Sequence, residues 1–136
     1  MVYLKDIKNT ITDILSGFEN INYITDDLLS MNTPDVKYSA AVVEHTSTVF
    51  KNYDDTGGQY ATYHFTVFIA DLDVGNTTDI QSNAEQLLIS LYSKLEEDYL
   101  IDDEMTITPF KHRFTSLCSG CYAEFSITTD YHYVCK

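Results

Sequence analysis

Tryptophan is absent from the chain, and basic residues are scarce. Eight Lys and Arg stand against 21 Asp and Glu in 136 residues, a net charge of -13. A grip on nucleic acid needs clustered cations that displace condensed counterions, and the densest basic run is only Lys111-His112-Arg113. The same deficit argues against an anionic membrane surface. No stretch approaches the roughly 18 apolar residues of a membrane span. The opening Met1-Val2-Tyr3-Leu4-Lys5-Asp6 leads straight into an amphipathic pattern, without the apolar core of a secretory leader. The expectation is a protein that is cytoplasmic where it is made. Five glycines are too few for a phosphate-cradling loop, and neither a P-loop nor G-x-G-x-x-G occurs.

Cysteine is sparse too: Cys118, Cys121 and Cys135 give an odd count and a single C-x-x-C. A zinc site usually draws on four ligands, and a second C-x-x-C or paired histidines are missing. His132 completes a Cys3His set only if the terminal strand folds back beside Cys118 and Cys121. Ser119-Gly120 reads as a hairpin turn between two β segments, not as the strand-to-helix start of a redox motif. Structural thiols are the favoured reading, with metal and redox roles as the alternatives.

What the chain does have is a core. Hydrophobic residues make up 44%, enough for one globular domain over residues 1–136. The 11 tyrosines and 7 phenylalanines suit half-buried sheet faces and protein contacts. Leu4, Ile7, Ile11, Ile14, Leu15 and Phe18 recur at spacings of three and four, which predicts a helix over 3–18 stopped near Gly17. A brief strand is expected at 21–24, then a turn-rich connection from Asp26 to Pro34. Alternation predicts strands over 37–50 and 59–71, joined by a loop containing Gly57-Gly58. On the first, Ala41, Val43, His45, Ser47 and Val49 are expected to share a face.

Thr78 and Gln81 match a capping box. The helix that follows carries Ile80, Ala84, Leu87, Leu88, Leu91 and Leu95 on one side. Glu96-Glu97-Asp98 at its end opposes the helix dipole. Strand character resumes over 105–110, from Phe114 onward and over 121–134. The predicted fold class is α+β: a mostly antiparallel sheet with a long hairpin, packed against two amphipathic helices, in the order α-β-β-β-α-β-β.

Few residues fall in patterns that carry chemistry. Asp71-Leu-Asp73-Val-Gly75 fails as a calcium loop, because Gly75 and Ser82 occupy the fifth and twelfth positions where ligands belong. His45, His64, His112 and His132 lack metal-ligand spacing; His45 and His64 are expected to be neighbours across the hairpin. No catalytic, cofactor or metal residues are assigned, and the expectation is a protein that is not an enzyme.

The order of elements resembles the tail terminator and tail-completion proteins of tailed bacteriophages. The resemblance rests on the N-terminal helix, the hairpin around Asn52–Gly58, the strand Tyr63-His-Phe-Thr-Val-Phe-Ile69, the helix Asp79–Leu95 and the closing segment Phe110–Ile127. It implies a structural virion protein forming a homomeric ring, hexameric or dodecameric, at the tail end or the head-tail neck. Portal, connector or tail proteins would be its neighbours, and DNA would pass through without specific binding. The resemblance carries no cofactor. Asn52, Tyr53, Asp54, Asp55, Thr56, Gly57 and Gly58 are then the expected interface, and acidic residues along a channel would keep phosphates off the wall. The alternative is a monomeric binding module that uses a Tyr-rich sheet surface.

Overall fold

The structure, a computed structural model, describes residues 4–33, 36–53, 58–114 and 117–130. Helix α1 (Leu4–Ser16) buries Ile7, Ile11 and Leu15 at successive turns, and Gly17 is the first residue beyond it. Strand β1 (Tyr23–Thr25) leads to a 3-10 turn (Leu28–Asn32), where the Asp27 carboxylate accepts the Leu29 N–H at 3.0 Å. The hairpin strands β2 (Ala40–Tyr53) and β3 (Gly58–Leu72) follow, then helix α2 (Thr77–Leu95), β4 (Leu100–Ile101), β5 (Thr106–Arg113) and β6 (Cys118–Asp130).

The fold is α+β. Among the described residues six strands form one mixed sheet, ordered β1-β2-β3-β6-β4, with β5 also beside β6. All pairs are antiparallel except β1 with β2. That parallel pair is possible because the 3-10 turn and the segment after it carry the chain back to the start of β2. Strands β5 and β4 lie end to end along the outer edge of β6, opposite residues 118–124 and 127–128.

Both helices pack on one face of the sheet. Ile7, Ile11 and Leu15 of α1 and Ala84, Leu88, Leu91 and Leu95 of α2 meet Tyr63, Phe65, Val67, Phe125 and Ile127. A second, smaller core closes the other face at the Ala40–Ala70 end, where Met31 of the 3-10 turn covers Val42, Phe68 and Phe110. Beyond it that face is open and polar, with Glu44, Thr66 and Glu124 side by side across three strands.

Three expectations are corrected. Ser119-Gly120 is not a hairpin turn; both lie inside β6, paired with Asp71 and Ala70. A bulge at Thr46 reverses the alternation of β2, so Ser47 and Val49 leave the face that Ala41, Val43 and His45 share. Helix α2 begins two residues earlier than the capping box requires, after Asn76, and Gln81 Nε2 instead donates to the Phe110 carbonyl at 3.1 Å.

Candidate functional site

The densest polar cluster lies where β3 turns into α2. Asp71 to Asn76 must reverse the chain within a few residues, and Gly75 does so at a φ of 100°. The Asp73 side chain has no exposed surface. Its Oδ1 accepts the Gly75 N–H at 2.9 Å, and its Oδ2 accepts Thr77 Oγ1 at 2.5 Å and Ser119 Oγ at 2.6 Å. His112 Nε2 lies 3.3 Å from the same oxygen, and the His112 backbone N–H donates to Ser119 Oγ at 3.2 Å. The hydroxyls of Ser119 and Thr77, followed by the Gly75 N–H, hold the Asp73 carboxyl well below the usual carboxylate range; His112 adds to this.

An Asp-His-Ser set suggests nucleophilic catalysis, but the hydrogen bonds run the wrong way. Ser119 Oγ donates to the carboxylate, not to the imidazole, and Ser119 is fully buried. The cluster ties the β3–α2 turn to β6 and to the end of β5. It also carries a pH signature. Because folding depresses the Asp73 pKa below its ordinary value of 3.8, the unfolded chain takes up the proton first as pH falls. Its stabilisation is therefore fully present above that value and is lost as pH drops through the folded-state pKa. Asp73→Asn is expected to lower neutral-pH stability and to flatten this acid limb; urea titrations at a series of pH values below 4, set against the wild type, would show it.

Cys118 and Cys121 are three residues apart on a strand, so they point to opposite faces. Cys118 sits in the smaller core, its thiol 3.1 Å from Tyr38 Oη; Cys121 sits under α2, 3.4 Å from the Gln81 carbonyl. They cannot share a metal or bridge without unpairing β6. His132 and Cys135 lie outside the described residues. Burial pushes both thiols up, Cys121 from 9.0 to about 11, which cuts its thiolate population about a hundredfold. Native-state alkylation followed by peptide mass spectrometry is expected to leave both nearly unlabelled while denatured protein reacts fully. Rapid native labelling of the Cys121 peptide would contradict this burial.

The two hairpin histidines are not the expected pair. The His45 ring packs against Tyr63 and Phe65, at centroid distances of 6.0 and 5.6 Å, on the helix side. His64 stands opposite Ser47 and Ser126 on the other face, beside a recess of about 320 Å3 lined by Thr46, Thr66, Asp102 and Glu124. There Asp102 accepts both the Ser126 N–H and Oγ. Among the described residues no three His, Cys, Asp or Glu side chains are grouped to hold a metal ion.

What remains is surface. Of the expected interface, Asn52 is exposed near the end of β2, accepting a 3.5 Å contact from Gln59 Nε2, and the Tyr53 and Gly58 backbones pair. Asp54, Asp55, Thr56 and Gly57 lie outside the described residues. No known protein family matches the chain, and no curated protein sequence does either. Below the loop, the arm shows apolar bulk on both faces: Val49 is 45% and Phe50 53% exposed. The outer edge of β2 beyond Val42 is unpaired among the described residues. On the opposite margin, the outer edge of β5 is guarded by Pro109 and by Lys111 and Arg113. Arg113 lies 5.6–5.7 Å from the centroids of Phe68, Phe110 and Phe114.

The sequence does not mark Ser119 and His112 as partners of Asp73. The one available signal was Asp-x-Gly between a strand and a helix, which marks a carboxylate folded back on its own turn. Nothing local announces a partner 46 residues away.

Proposed function

We propose that this chain is a structural virion protein of a tailed phage, assembling as a homomeric ring at the tail end or the head-tail neck. The observation that carries the reading is the pair of unlike margins on one sheet, both unpaired among the described residues. One side presents β1 and the unpaired length of β2, the other presents β4 and β5. A subunit with two different patches on opposite sides makes heterologous contacts, and such contacts close into a ring when the rotation allows. The exposed hairpin arm, with Val49 and Phe50, is a reaching element suited to a neighbour.

The open polar half of the sheet, with Glu44, Thr66 and Glu124, is the face best suited to a channel. Its carboxylates would repel phosphates, so DNA would slide past. Three of the eleven tyrosines are withheld from a Tyr-rich binding surface. Tyr63 is buried, Tyr92 donates to the Asp102 carbonyl, and Tyr99 meets Thr10 Oγ1 at 3.0 Å, so these three are engaged within the fold.

Size-exclusion chromatography with light scattering, with and without purified tail tubes or portal rings, tests the proposal. The expected result is a closed oligomer, free or on docking. A protein that stays monomeric and also fails to join either structure would overturn it.

A further inference from the structure

A groove of about 590 Å3 runs between the start of α1 and β1. Leu4, Ile24 and Val43 supply its apolar lining, and Lys5 and Lys8 stand on its rim. Lys8 Nζ bridges Asp26 at 3.2 Å; Lys5 makes no ion pair among the described residues. Two of the eight basic residues in a chain of net charge -13 therefore border one groove on the β1 margin.

The opposite margin is its chemical complement. Strand β4 ends the sheet order there, and its Leu100 is 71% exposed. Around it, Glu96, Glu97, Asp98, Asp102, Asp103 and Glu104 crowd a nine-residue stretch that contains no basic residue. Of the six, Asp102 alone has a side-chain partner among the described residues, Ser126. The first three also sit at the C-terminal end of α2, where the helix dipole opposes negative charge.

We infer that the groove between α1 and β1 receives the β4 margin of a second copy of this chain: Leu100 enters against Leu4, Ile24 and Val43, and the flanking carboxylates meet Lys5 and Lys8. The inference rests on the ring reading and names its contact. A second copy is the occupant because one chain supplies both halves, groove and filler, on opposite sides of one sheet. The contact is therefore head to tail, and each subunit keeps one free half for the next neighbour. Apolar burial at Leu100 supplies the affinity, since exposed ion pairs contribute little alone; the charges set register and exclude the reverse docking.

Light scattering over a concentration series, on four proteins, tests this. The wild type is expected to associate, more tightly at low salt than at high salt. Leu100→Asp, at an exposed position that leaves the core intact, is expected to weaken association by tenfold or more. Lys5→Glu/Lys8→Glu and Glu97→Lys/Asp98→Lys are each expected to stay monomeric alone. Mixed, they should associate again, because each reversed margin now meets a reversed groove; circular dichroism verifies that every variant is folded. Variants that assemble like the wild type, or a mixture that does not associate, would overturn the contact and leave the ring reading standing. A wild type monomeric at every concentration would overturn the contact too; the ring reading falls only if that protein also fails to join a tail tube or portal ring.

Discussion

Gly120→Ala is expected to destabilise the fold by about 3 kcal/mol or more. Gly120 lies in the middle of the sheet, on β6 between Ala70 of β3 and Phe110 of β5. A Cβ at that position would stand 1.8 Å from the Ile69 carbonyl oxygen and 2.9 Å from its carbonyl carbon. Both are backbone atoms of a buried strand, so neither can swing aside as a flexible side chain would. Relief requires β3 and β6 to separate toward the Leu72–Cys118 end of their pairing, where the Ser119–Asp73 hydrogen bond also ties the two strands. Overpacking a core side chain costs about 1–3 kcal/mol; a clash with sheet backbone belongs at or beyond the top of that range. Against a total stability of about 5–15 kcal/mol, that removes a large share of the margin that keeps the domain folded. Far-ultraviolet circular dichroism and urea unfolding would read the loss. A variant with a wild-type midpoint would mean that β6 does not approach β3 this closely.

Phe65→Ala is expected to cost about 3–5 kcal/mol, through lost burial and the cavity left behind. Phe65 is 1% exposed at the centre of the helix-side core. It is stacked on Phe125 at 6.0 Å and tilted against His45 at 5.6 Å. The site cannot collapse easily, because β2 and β6 flank Phe65 with backbone pairing on both sides. For a domain of this size the loss corresponds to a fall in melting temperature of roughly 10–15 °C. The conservative Phe65→Leu should recover most of it, so differential scanning calorimetry on the pair separates volume from aromaticity. Equal losses in the two variants would assign the effect to ring geometry instead.

The elements were legible because each repeats a local pattern. Leu4 to Leu15 at helical spacing, and Tyr63-His-Phe-Thr-Val-Phe-Ile69 at alternating spacing, state which side of each element is apolar without reference to anything distant. Helices α1 and α2 and strands β2 and β3 accordingly lie within a few residues of their predicted bounds. The bulge at Thr46 was hidden, since a Thr-Ser-Thr run carries no polarity signal to show that alternation has slipped. Strand β4 was hidden as well: two residues are too short for a period, and they pair only because α2 delivers them beside Thr128 and Ile127 of β6.

The candidate site divides in the same way. The Asn52–Gly58 loop was visible as a turn, and the acidic run after α2 was visible as composition. That the run borders an exposed Leu100 at one margin, with a lysine-rimmed groove at the other, depends on strand order. Cys118 and Cys121 make the point most sharply. As letters they are a C-x-x-C, and only their placement inside β6 sends one thiol to each side of the sheet.

By itself the sequence determined the fold class, the identity of the helical and strand segments, and the acidic surface. These follow from composition and from periods of 3.6 and 2 that act within a few residues. The tertiary structure decided which strands are neighbours, why residue 120 is glycine, how Asp73 finds Ser119, and which patches face outward on opposite margins. Those depend on contacts between segments tens of residues apart, whose formation is set by packing the whole sheet against its helices, and such contacts leave no period in the chain.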